Sequence, residues 1–302
     1  MTTRLQVAYC LTSTGDDIYE AMTRVSLATL RKHNSKASIQ VFCDELSYLN
    51  LKSCNSRLFK EADNVVGIAT PAGEAAFRNR FIKTQLRLLL NGPFLYLDSD
   101  TVIRRSLADI SRTTADIAAA PNHSADCISD QIWLEDYKNL DMMGWQARAP
   151  YFNGGVVWYA DSSKARSLAE RWHASWLENI RVTGRFRDQP ALNHSLNTTP
   201  DLQLHCLDHC WNAQVKTPQG LAYAVDAAIW HIYSSYDIAD GDLFSLCCTR
   251  LKHQRSLRPN SRLLKKLLTA DTPFVAPEDQ FTWKHRLALL LETSIPFSKR
   301  SS

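Results

Sequence analysis

Residues 94–100 read FLYLDSD, so a run of four apolar residues leads directly into two acids separated by one serine. The run follows the turn-forming Asn91-Gly92-Pro93 and predicts a buried strand. Residues i and i+2 of an extended segment point to the same side, so Asp98 and Asp100 are expected to converge while Ser99 faces away. Two carboxylates this close repel each other unless a proton or a cation lies between them. The stretch therefore predicts a divalent cation, because Mg²⁺ or Mn²⁺ binds a few protein oxygens and completes its coordination with phosphate oxygens.

Short apolar runs alternate with helical patterns on both sides of this stretch. The predicted helices are Ile18–His33, Phe77–Leu90 and Ser162–Leu177, and the other predicted strands are Leu5–Leu11, Ser38–Cys43, Val65–Ile68, Asp116–Ala120 and Tyr151–Tyr159, the last broken by two glycines. The alternation predicts an α/β fold with a mostly parallel central sheet flanked by helices. Ligands of such sheets bind beyond the carboxyl ends of the strands, which is where the two acids lie.

Composition is that of a globular protein: 302 residues, 45% hydrophobic and 22% charged, with eight scattered cysteines that are expected to be reduced. No apolar run reaches the length of a membrane span, and MTTRLQVAY lacks the apolar core of a signal peptide. We therefore expect a cytoplasmic protein.

The net charge of +4 is unevenly distributed. Residues 251–302 contain ten Lys or Arg and four Asp or Glu, a net charge of +6, which leaves −2 for residues 1–250. We accordingly predict a catalytic domain over residues 1–250 and a basic amphipathic, helical tail over 251–302, and no nucleic-acid partner, because the positive charge is confined to the tail.

Two segments of the tail mix leucines with cations: Arg262–Leu268 (RLLKKLL) and Trp283–Leu291 (WKHRLALLL). Such segments either lie on an anionic membrane surface or pack their leucines back onto the catalytic domain. The first alternative, which we favour for Arg262–Leu268, predicts peripheral contact with the inner face of the membrane. The second is favoured for Trp283–Leu291.

Four further motifs follow the acids in order: YFNGGV (151–156), DQPALN (188–193), WNAQ (211–214) and IWHIY (229–233). Together with FLYLDSDTVI, this series resembles the GT-A glycosyltransferases of family eight, the group of glycogenin and the bacterial lipopolysaccharide glucosyl- and galactosyltransferases. The resemblance covers roughly residues 5–233. It implies a GT-A (Rossmann-like) fold and the retaining transfer of a hexose from a nucleotide-diphosphate sugar, with UDP-glucose or UDP-galactose as the expected donor, to a glycan or glycolipid acceptor.

The resemblance also implies a metal site made of Asp98, Asp100 and His231. Two carboxylates and one imidazole favour Mn²⁺ over Mg²⁺, because imidazole is a poor magnesium ligand. Bound by these residues, such an ion would supply positive charge to the diphosphate of the donor as the anomeric C–O bond breaks. The alternative for His231 is a buried histidine with structural hydrogen bonds only, and for the two acids it is the capping of a turn or helix.

Further contacts to the donor are implied for the loop after the first strand, for a basic residue ahead of the acids and for two glycines. The residues are Tyr9, Thr12 and Asp17 for the base and ribose, Lys83 for the donor, Ser99 beside the acids, and Gly154 and Gly155 for the donor sugar. Three other basic residues compete with Lys83 for its role: Arg78, Arg80 and Arg87. The alternative for the loop is a plain polar turn without a ligand, and the alternative for Lys83 is a solvated helix face.

The residues implied in catalysis are Asn153, Asp188 and Gln189, close to the anomeric centre, where a carboxylate or an amide stabilises oxocarbenium-like charge. Asp188 is alternatively the N-cap of the following helix. One departure from the family is clear: its members follow the metal histidine with glycine and Lys-Pro-Trp, whereas Ser234–Asp237 stand here. Lys252 or another basic residue would have to replace that lysine.

Three other interpretations fit part of the sequence. Asp98-Ser99-Asp100-Thr101-Val102 matches the motif of haloacid-dehalogenase-type phosphatases, in which the first acid is the nucleophile. A non-catalytic sugar-nucleotide-binding protein of the same fold would carry the same motifs. Residues 205–210 (HCLDHC) contain two histidines and two cysteines, but four such ligands within six residues are too crowded for a tetrahedral zinc site, which needs ligands from two arms.

Overall fold

The computed structural model describes residues 4–15, 17–233, 242–254 and 262–274. These residues form nine strands: β1 (Gln6–Leu11), β2 (Ser38–Asp44), β3 (Asn64–Ile68), β4 (Phe94–Leu97), β5 (Thr101–Ile103), β6 (Ile117–Pro121), β7 (Phe152–Tyr159), β8 (Leu204–Cys206) and β9 (Ile229–His231). The same ranges contain twelve α-helices: α1 (Ile18–His33), α2 (Glu45–Ser53), α3 (Leu58–Glu61), α4 (Ala75–Lys83), α5 (Leu86–Leu89), α6 (Ile128–Gln131), α7 (Leu134–Met143), α8 (Ser163–Thr183), α9 (Gln189–Thr198), α10 (Pro218–Ala222), α11 (Leu243–Gln254) and α12 (Arg262–Thr269).

The central sheet has seven strands in the order β3-β2-β1-β4-β7-β6-β8. Strands β3, β2, β1 and β4 are parallel, β7 is antiparallel to both of its neighbours, and β8 is parallel to β6. The prediction of an α/β fold with a mostly parallel sheet is therefore confirmed. Strand β4 lies between β1 and β7 with all four residues buried, so the chain leaves the sheet at its carboxyl edge with Asp98.

Two apolar clusters cover the two faces of the sheet. Along β1, Val7 and Tyr9 belong to one cluster, whereas Ala8 and Cys10 belong to the other. This is the two-residue period of a strand that is buried on both sides. Because helices cover both faces, the site residues can emerge at the strand ends on a rigid base.

A second, two-stranded sheet connects distant parts of the chain. Strand β5 pairs antiparallel with β9, and Thr101 lies opposite His231. The residue after Asp100 is thereby held beside the histidine of the last family motif, and the backbone N–H of Ile232 donates to the Asp100 carbonyl at 2.8 Å.

Most predicted elements are confirmed, with two instructive differences. The helix predicted over Phe77–Leu90 is two helices, α4 and α5, which meet at Thr84. The apolar pattern continues across the break because both helices bury the same face against the sheet, through residues such as Ile82 and Leu86. Strand β7 is continuous through its glycines, because β4 and β6 pair with it on either side.

The first segment of the tail packs onto the rest of the protein. Leu264 and Leu267 of α12 are buried in a cluster with residues of α1 and α11. The Arg104 guanidinium lies 3.8 Å from the ring centroid of Trp230 and donates to the Leu267 carbonyl at 2.9 Å. These leucines are not available to a membrane in this conformation, contrary to the alternative favoured above for this segment.

The boundary predicted at residue 250 falls inside α11, and the division of the chain into two parts stays a prediction. The segment Trp283–Leu291 lies outside the described residues. None of the helices within the described ranges combines the length and the apolar character that crossing a membrane requires.

Replacing Leu267 by alanine tests the packing of α12. Leu267 has no exposed surface, so we expect Leu267→Ala to lower the free energy of unfolding by about 2–5 kcal/mol through lost burial and a cavity. Urea unfolding of the full chain measures the change. Lys265→Ala, on the exposed side of the same helix, is the control. Its free energy of unfolding should stay within about 0.5 kcal/mol of the wild-type value. Equal stability of both variants would show that α12 does not pack on the protein in solution.

Candidate active site

Three potential metal ligands converge where β4 ends and β5 pairs with β9. The ligand atoms of Asp98, Asp100 and His231 all lie within 4.8 Å of one another. His231 Nε2 is 3.2 Å from Asp100 Oδ1 and 3.9 Å from Asp98 Oδ2. Two carboxylates and one imidazole form a donor set that suits a divalent cation of the Mn²⁺ type. Within the described residues no second group of three His, Cys, Asp or Glu side chains meets this spacing, and so HCLDHC forms no such group.

The pKa values of His231 and Asp100 reflect the attraction between the imidazole and the carboxylates. Burial lowers the pKa of His231, but the carboxylates of Asp100 and Asp98 outweigh burial and the pKa is raised. Burial raises the pKa of Asp100, yet the charge of His231 and its hydrogen bond outweigh burial and the pKa is lowered. In the absence of a cation, a proton on His231 thus neutralises part of the charge of the two acids.

Asn212 orients the imidazole. Its Oδ1 lies 3.0 Å from His231 Nδ1, and an amide oxygen can only accept, so Nδ1 carries the hydrogen. In the neutral ring Nε2 then presents its lone pair toward the two acids. The Asn212 amide group is fixed in turn, because its Nδ2 donates to Asn153 Oδ1 at 3.0 Å. Asn212 belongs to the WNAQ motif, but the sequence alone assigned it no role, because a hydrogen bond to a distant histidine leaves no local pattern.

Gly155 lies so close to the three ligands that no side chain fits. A Cβ at this position would lie 2.2 Å from His231 Cε1 and 2.8 Å from Asp98 Oδ2. The main chain of Gly155 also accepts from the Asp98 N–H at 2.8 Å and donates to Asn153 Oδ1 at 2.8 Å. At Gly154 the nearest atom to an added Cβ is Leu192 Cδ2 at 3.3 Å, which is a much milder contact. The second glycine is therefore the one that the geometry of the site requires.

Lys83 links the predicted metal ligands to the predicted catalytic acid. Its Nζ lies 3.1 Å from Asp98 Oδ1 and 3.3 Å from Asp188 Oδ2. Burial lowers the pKa of Lys83, but the charges of Asp188 and Asp98 outweigh burial and the pKa is raised, so the amine is a cation. The buried position at the end of α4 and the two carboxylates explain why a lysine stands here.

The other basic residues that competed with Lys83 are placed differently. Arg78 bonds Asp44, and Arg87 is fully buried and donates to backbone carbonyls. Arg80 does line the cleft, with its Nε 3.8 Å from Asp188 Oδ1.

Asp188 and Gln189 lie at the start of α9, but Asp188 makes no side-chain capping bond to the helix. Its carboxylate faces Lys83 instead, while its carbonyl accepts from Trp172 Nε1 at 2.9 Å. Gln189 Oε1 accepts from the Gly154 N–H at 3.4 Å. Asn153 lies at the centre of a network of side-chain amides. Its Nδ2 donates to Asn122 Oδ1 at 2.9 Å and to Gln189 Oε1 at 3.3 Å. The N-cap alternative for the Asp188 side chain is thus not supported.

The predicted contacts of the first loop divide into two groups. Thr12 lines the cleft, and its hydroxyl oxygen is buried without a partner among the described residues. Ser99 also lines the cleft, and its Oγ lies 2.8 Å from Thr23 Oγ1.

Tyr9 does not reach the cleft, because it is fully buried and its hydroxyl pairs with Ser26. Asp17 caps α1 by accepting from the N–H groups of residues 19 and 20 and also from Ser13 and Thr14, so its oxygens are occupied by the protein.

The cleft consists of two adjoining cavities of about 240 Å³ and 270 Å³. Arg80, Lys83, Asp98 and Asp100 line both of them and form the wall between. The first cavity extends over Thr12 and Ser99, and the second over residues 153–155, Asp188, Gln189 and His231. A ligand that binds at the shared wall can therefore extend into both cavities.

Comparison with known proteins identifies the fold through similarity in structure and not in sequence. No family model matches the chain, and no curated protein matches it in sequence. Among solved structures, the galactosyltransferase LgtC in complex with donor and acceptor sugar analogues is 15% identical, with 85% of this chain and 98% of that chain covered and a TM-score of 0.55. The bifunctional glycosyltransferase WbbM is 14% identical, with 78% and 46% covered and a TM-score of 0.51, so the chain spans less than half of WbbM. Mouse xyloside xylosyltransferase 1 is 15% identical, with 78% and 100% covered and a TM-score of 0.50.

At these identities the likeness shows the fold. The chain has the GT-A glycosyltransferase fold, as its sequence motifs predicted.

Replacing Gly155 or Gly154 by alanine tests the geometry of the group formed by Asp98, Asp100 and His231. We expect Gly155→Ala to abolish Mn²⁺ binding, because the added methyl group would overlap His231 and crowd Asp98. Gly154→Ala is the matched control and should retain it, since its added methyl group meets only a flexible leucine at short range. The loss of the free Mn²⁺ signal in electron paramagnetic resonance, with UDP present, measures binding. Undiminished affinity in Gly155→Ala would contradict the arrangement described.

Proposed function

We propose that this protein is a metal-dependent glycosyltransferase that moves a hexose from a nucleotide-diphosphate sugar to a glycan or glycolipid acceptor with retention of configuration. UDP-glucose or UDP-galactose is the expected donor, and Mn²⁺ (or Mg²⁺) the expected cation. The observation that carries the proposal is the convergence of Asp98, Asp100 and His231 in a cleft of a GT-A fold. Membership of family eight and a part in lipopolysaccharide biosynthesis, both implied by the motifs, belong to the same proposal.

The donor would lie across the shared wall of the two cavities, with its diphosphate at the three ligands. A divalent cation held there supplies the positive charge that a leaving nucleoside diphosphate needs as the anomeric C–O bond breaks. Thr12 and Ser99 line the cavity that would take the nucleoside. Gly154 and Gly155 line the second cavity, where their bare backbone leaves room for the donor sugar.

Asp188 is the group that we expect to act on the donor sugar, and Lys83, on the shared wall, holds it in position. Their ion pair of 3.3 Å fixes both side chains before any substrate binds. The carboxylate of Asp188, together with the Gln189 amide, would stabilise positive charge at the anomeric carbon. In the transfer a bond forms between the acceptor hydroxyl oxygen and the anomeric carbon. The bond from the anomeric carbon to the diphosphate oxygen breaks, and the diphosphate keeps the electron pair. The proton of the acceptor hydroxyl is taken up by the leaving diphosphate.

Basic side chains that line the cleft could take the role of the lysine in the missing Lys-Pro-Trp segment. Arg80 and Lys83 line both cavities, and Arg187 lines the second. Lys252 lines a different cavity, next to Gly15 and Asp17, and is not placed at the cleft. We therefore assign the diphosphate contact to Lys83 and Arg80.

The alternative functions receive less support. A phosphatase needs the Asp98 carboxylate as a free nucleophile, whereas here Tyr96 and Lys83 donate to it and His231 lies beside it. The three solved structures compared above are glycosyltransferases. Peripheral membrane contact through the tail has no support from Arg262–Leu268, whose Leu264 and Leu267 are buried.

Release of UDP tests the proposal. The full chain with Mn²⁺ should release UDP from UDP-glucose or UDP-galactose, slowly with water and faster with an acceptor, and should release no phosphate from simple phosphate esters. Lys83→Met should lower kcat about 10²–10³-fold, because it removes a preorganised cation from the position where charge develops.

Lys60→Met, at an exposed position that lines neither cavity of the cleft, is the control and should match the wild type. Binding of UDP-sugar without any release, in the presence of sugar acceptors, would favour the non-catalytic binding protein. Phosphate release from simple esters that requires Asp98 would favour the phosphatase.

A further inference from the structure

The second cavity has an aromatic wall that the proposed transfer does not explain. His123, Trp133 and Tyr233 all line this cavity, and none of them lines the first. The ring centroid of His123 is 5.2 Å from that of Trp133 and 6.1 Å from that of Tyr233, and Trp133 and Tyr233 are 6.3 Å apart. The ring centroid of Tyr233 also lies 5.9 Å from the ring centroid of His231. The aromatic wall therefore adjoins the predicted metal site directly.

Trp133 lines the second cavity and is only partly covered by the protein. It is 44% exposed, although it stands immediately before α7 and next to the buried Ile132. The remainder of this cavity is lined by polar and charged groups such as Asn122, Arg187 and Gln189. An apolar ring face surrounded by hydrogen-bonding groups is the composition of a ligand site.

His123 is held in this wall by a strained backbone. Its φ is +58°, and the next residue, Ser124, has a φ of +52°, so two successive residues with side chains adopt the left-handed conformation. The conformation is fixed by the His123 N–H, which donates to Gln214 Oε1 at 2.8 Å, and by the His123 carbonyl, which accepts from Thr217 Oγ1 at 3.0 Å. Strain of this kind persists only where surrounding bonds hold it, and it is concentrated at functional sites.

The hydrogen bonds of His123 also define its tautomer. Nδ1 lies 2.8 Å from the Asp130 carbonyl, which can only accept, so Nδ1 carries the hydrogen. Burial, together with the charge of Arg187, lowers the pKa of His123 to about 4 against the effect of the Asp130 hydrogen bond. The ring is then neutral at pH 7, and Nε2 is an acceptor for a hydroxyl group.

We propose that His123, Trp133 and Tyr233 form an acceptor subsite that binds a pyranose ring of a glycan. One face of a pyranose presents C–H groups and its edge presents hydroxyls, so the sugar can stack on Trp133 and donate a hydroxyl to His123 Nε2. An aliphatic chain in the same place would desolvate Arg187 and Gln189 without replacing their hydrogen bonds. The inference rests on the proposed function, because only a transfer reaction makes the second ligand of the cleft an acceptor.

Saturation-transfer NMR tests the subsite without requiring turnover. The probes are the methyl pyranosides of glucose, galactose and N-acetylglucosamine, added to the full chain with Mg²⁺ and UDP. We expect saturation to reach the ring C–H protons of at least one glycoside, to fall severalfold in Trp133→Ala, and to be restored in part by Trp133→Phe. Tyr137→Ala is the matched control, since Tyr137 is a 38% exposed aromatic residue of α7 that does not line the cavity.

Three results would overturn the inference: no saturation of any glycoside, equal saturation in wild type and Trp133→Ala, or displacement of the glycoside by UDP-glucose but not by UDP. The last result would assign the aromatic wall to the donor hexose. UDP release by the wild type from UDP-glucose or UDP-galactose, measured with Mn²⁺ and with the glycosides present as acceptors, tests the proposed function separately. If no UDP is released but glycoside binding depends on Trp133, the sugar subsite stands and the transferase proposal fails.

Discussion

The antiparallel pairing of β5 with β9 is the constraint on which the candidate site depends. It sets Thr101 opposite His231 and so brings an imidazole from late in the chain against the two acids that follow β4. Without this pairing, Asp98 and Asp100 would be two like charges at the end of a buried strand. With it, they become two of the three members of a ligand group. Gly155 completes the arrangement, because only a residue without a side chain leaves space for the ring.

The charges around this group explain why the cleft suits a cation and a phosphorylated ligand together. Asp98, Asp100 and Asp188 contribute three carboxylates within a short distance, and Lys83 bridges two of them. A divalent cation relieves the repulsion between Asp98 and Asp100 without removing Lys83 from its contacts. A cation bound by Asp98 and Asp100 would lie on the same wall as the Lys83 amine, where a diphosphate could contact both.

The sequence predicts the mostly parallel sheet and the grouping of Asp98, Asp100 and His231, because strands follow local apolar patterns and these three residues lie in motifs whose order resembles that of a known family. The ends of six strands (β1, β2, β3, β4, β6 and β7) lie within one residue of their predicted positions, since buried strands read as continuous apolar runs. The short strands β5, β8 and β9 are not among the predicted ones. Tyr9 was assigned to the cleft wrongly, because a strand buried on both faces gives no sign of which residues reach its end. Asp17 was not recognised as a helix cap, although Asp before an apolar helix is the usual signal.

The remaining features arise from contacts between distant residues. The hydrogen bond of Asn212 to His231 and the aromatic wall around His123 join segments that share no local pattern. The left-handed turn at His123 and Ser124 is also invisible to propensity, because neither residue is a glycine and the tertiary hydrogen bonds alone hold it.

Coordination of the cation by His231 is the central claim, and electron spin-echo envelope modulation of bound Mn²⁺ tests it directly. The account predicts nitrogen modulation from one imidazole in the wild type with Mn²⁺ and UDP, and loss of that modulation in His231→Gln. Bound Mn²⁺ that shows no nitrogen coupling in the wild type, or the same coupling in His231→Gln, would contradict it.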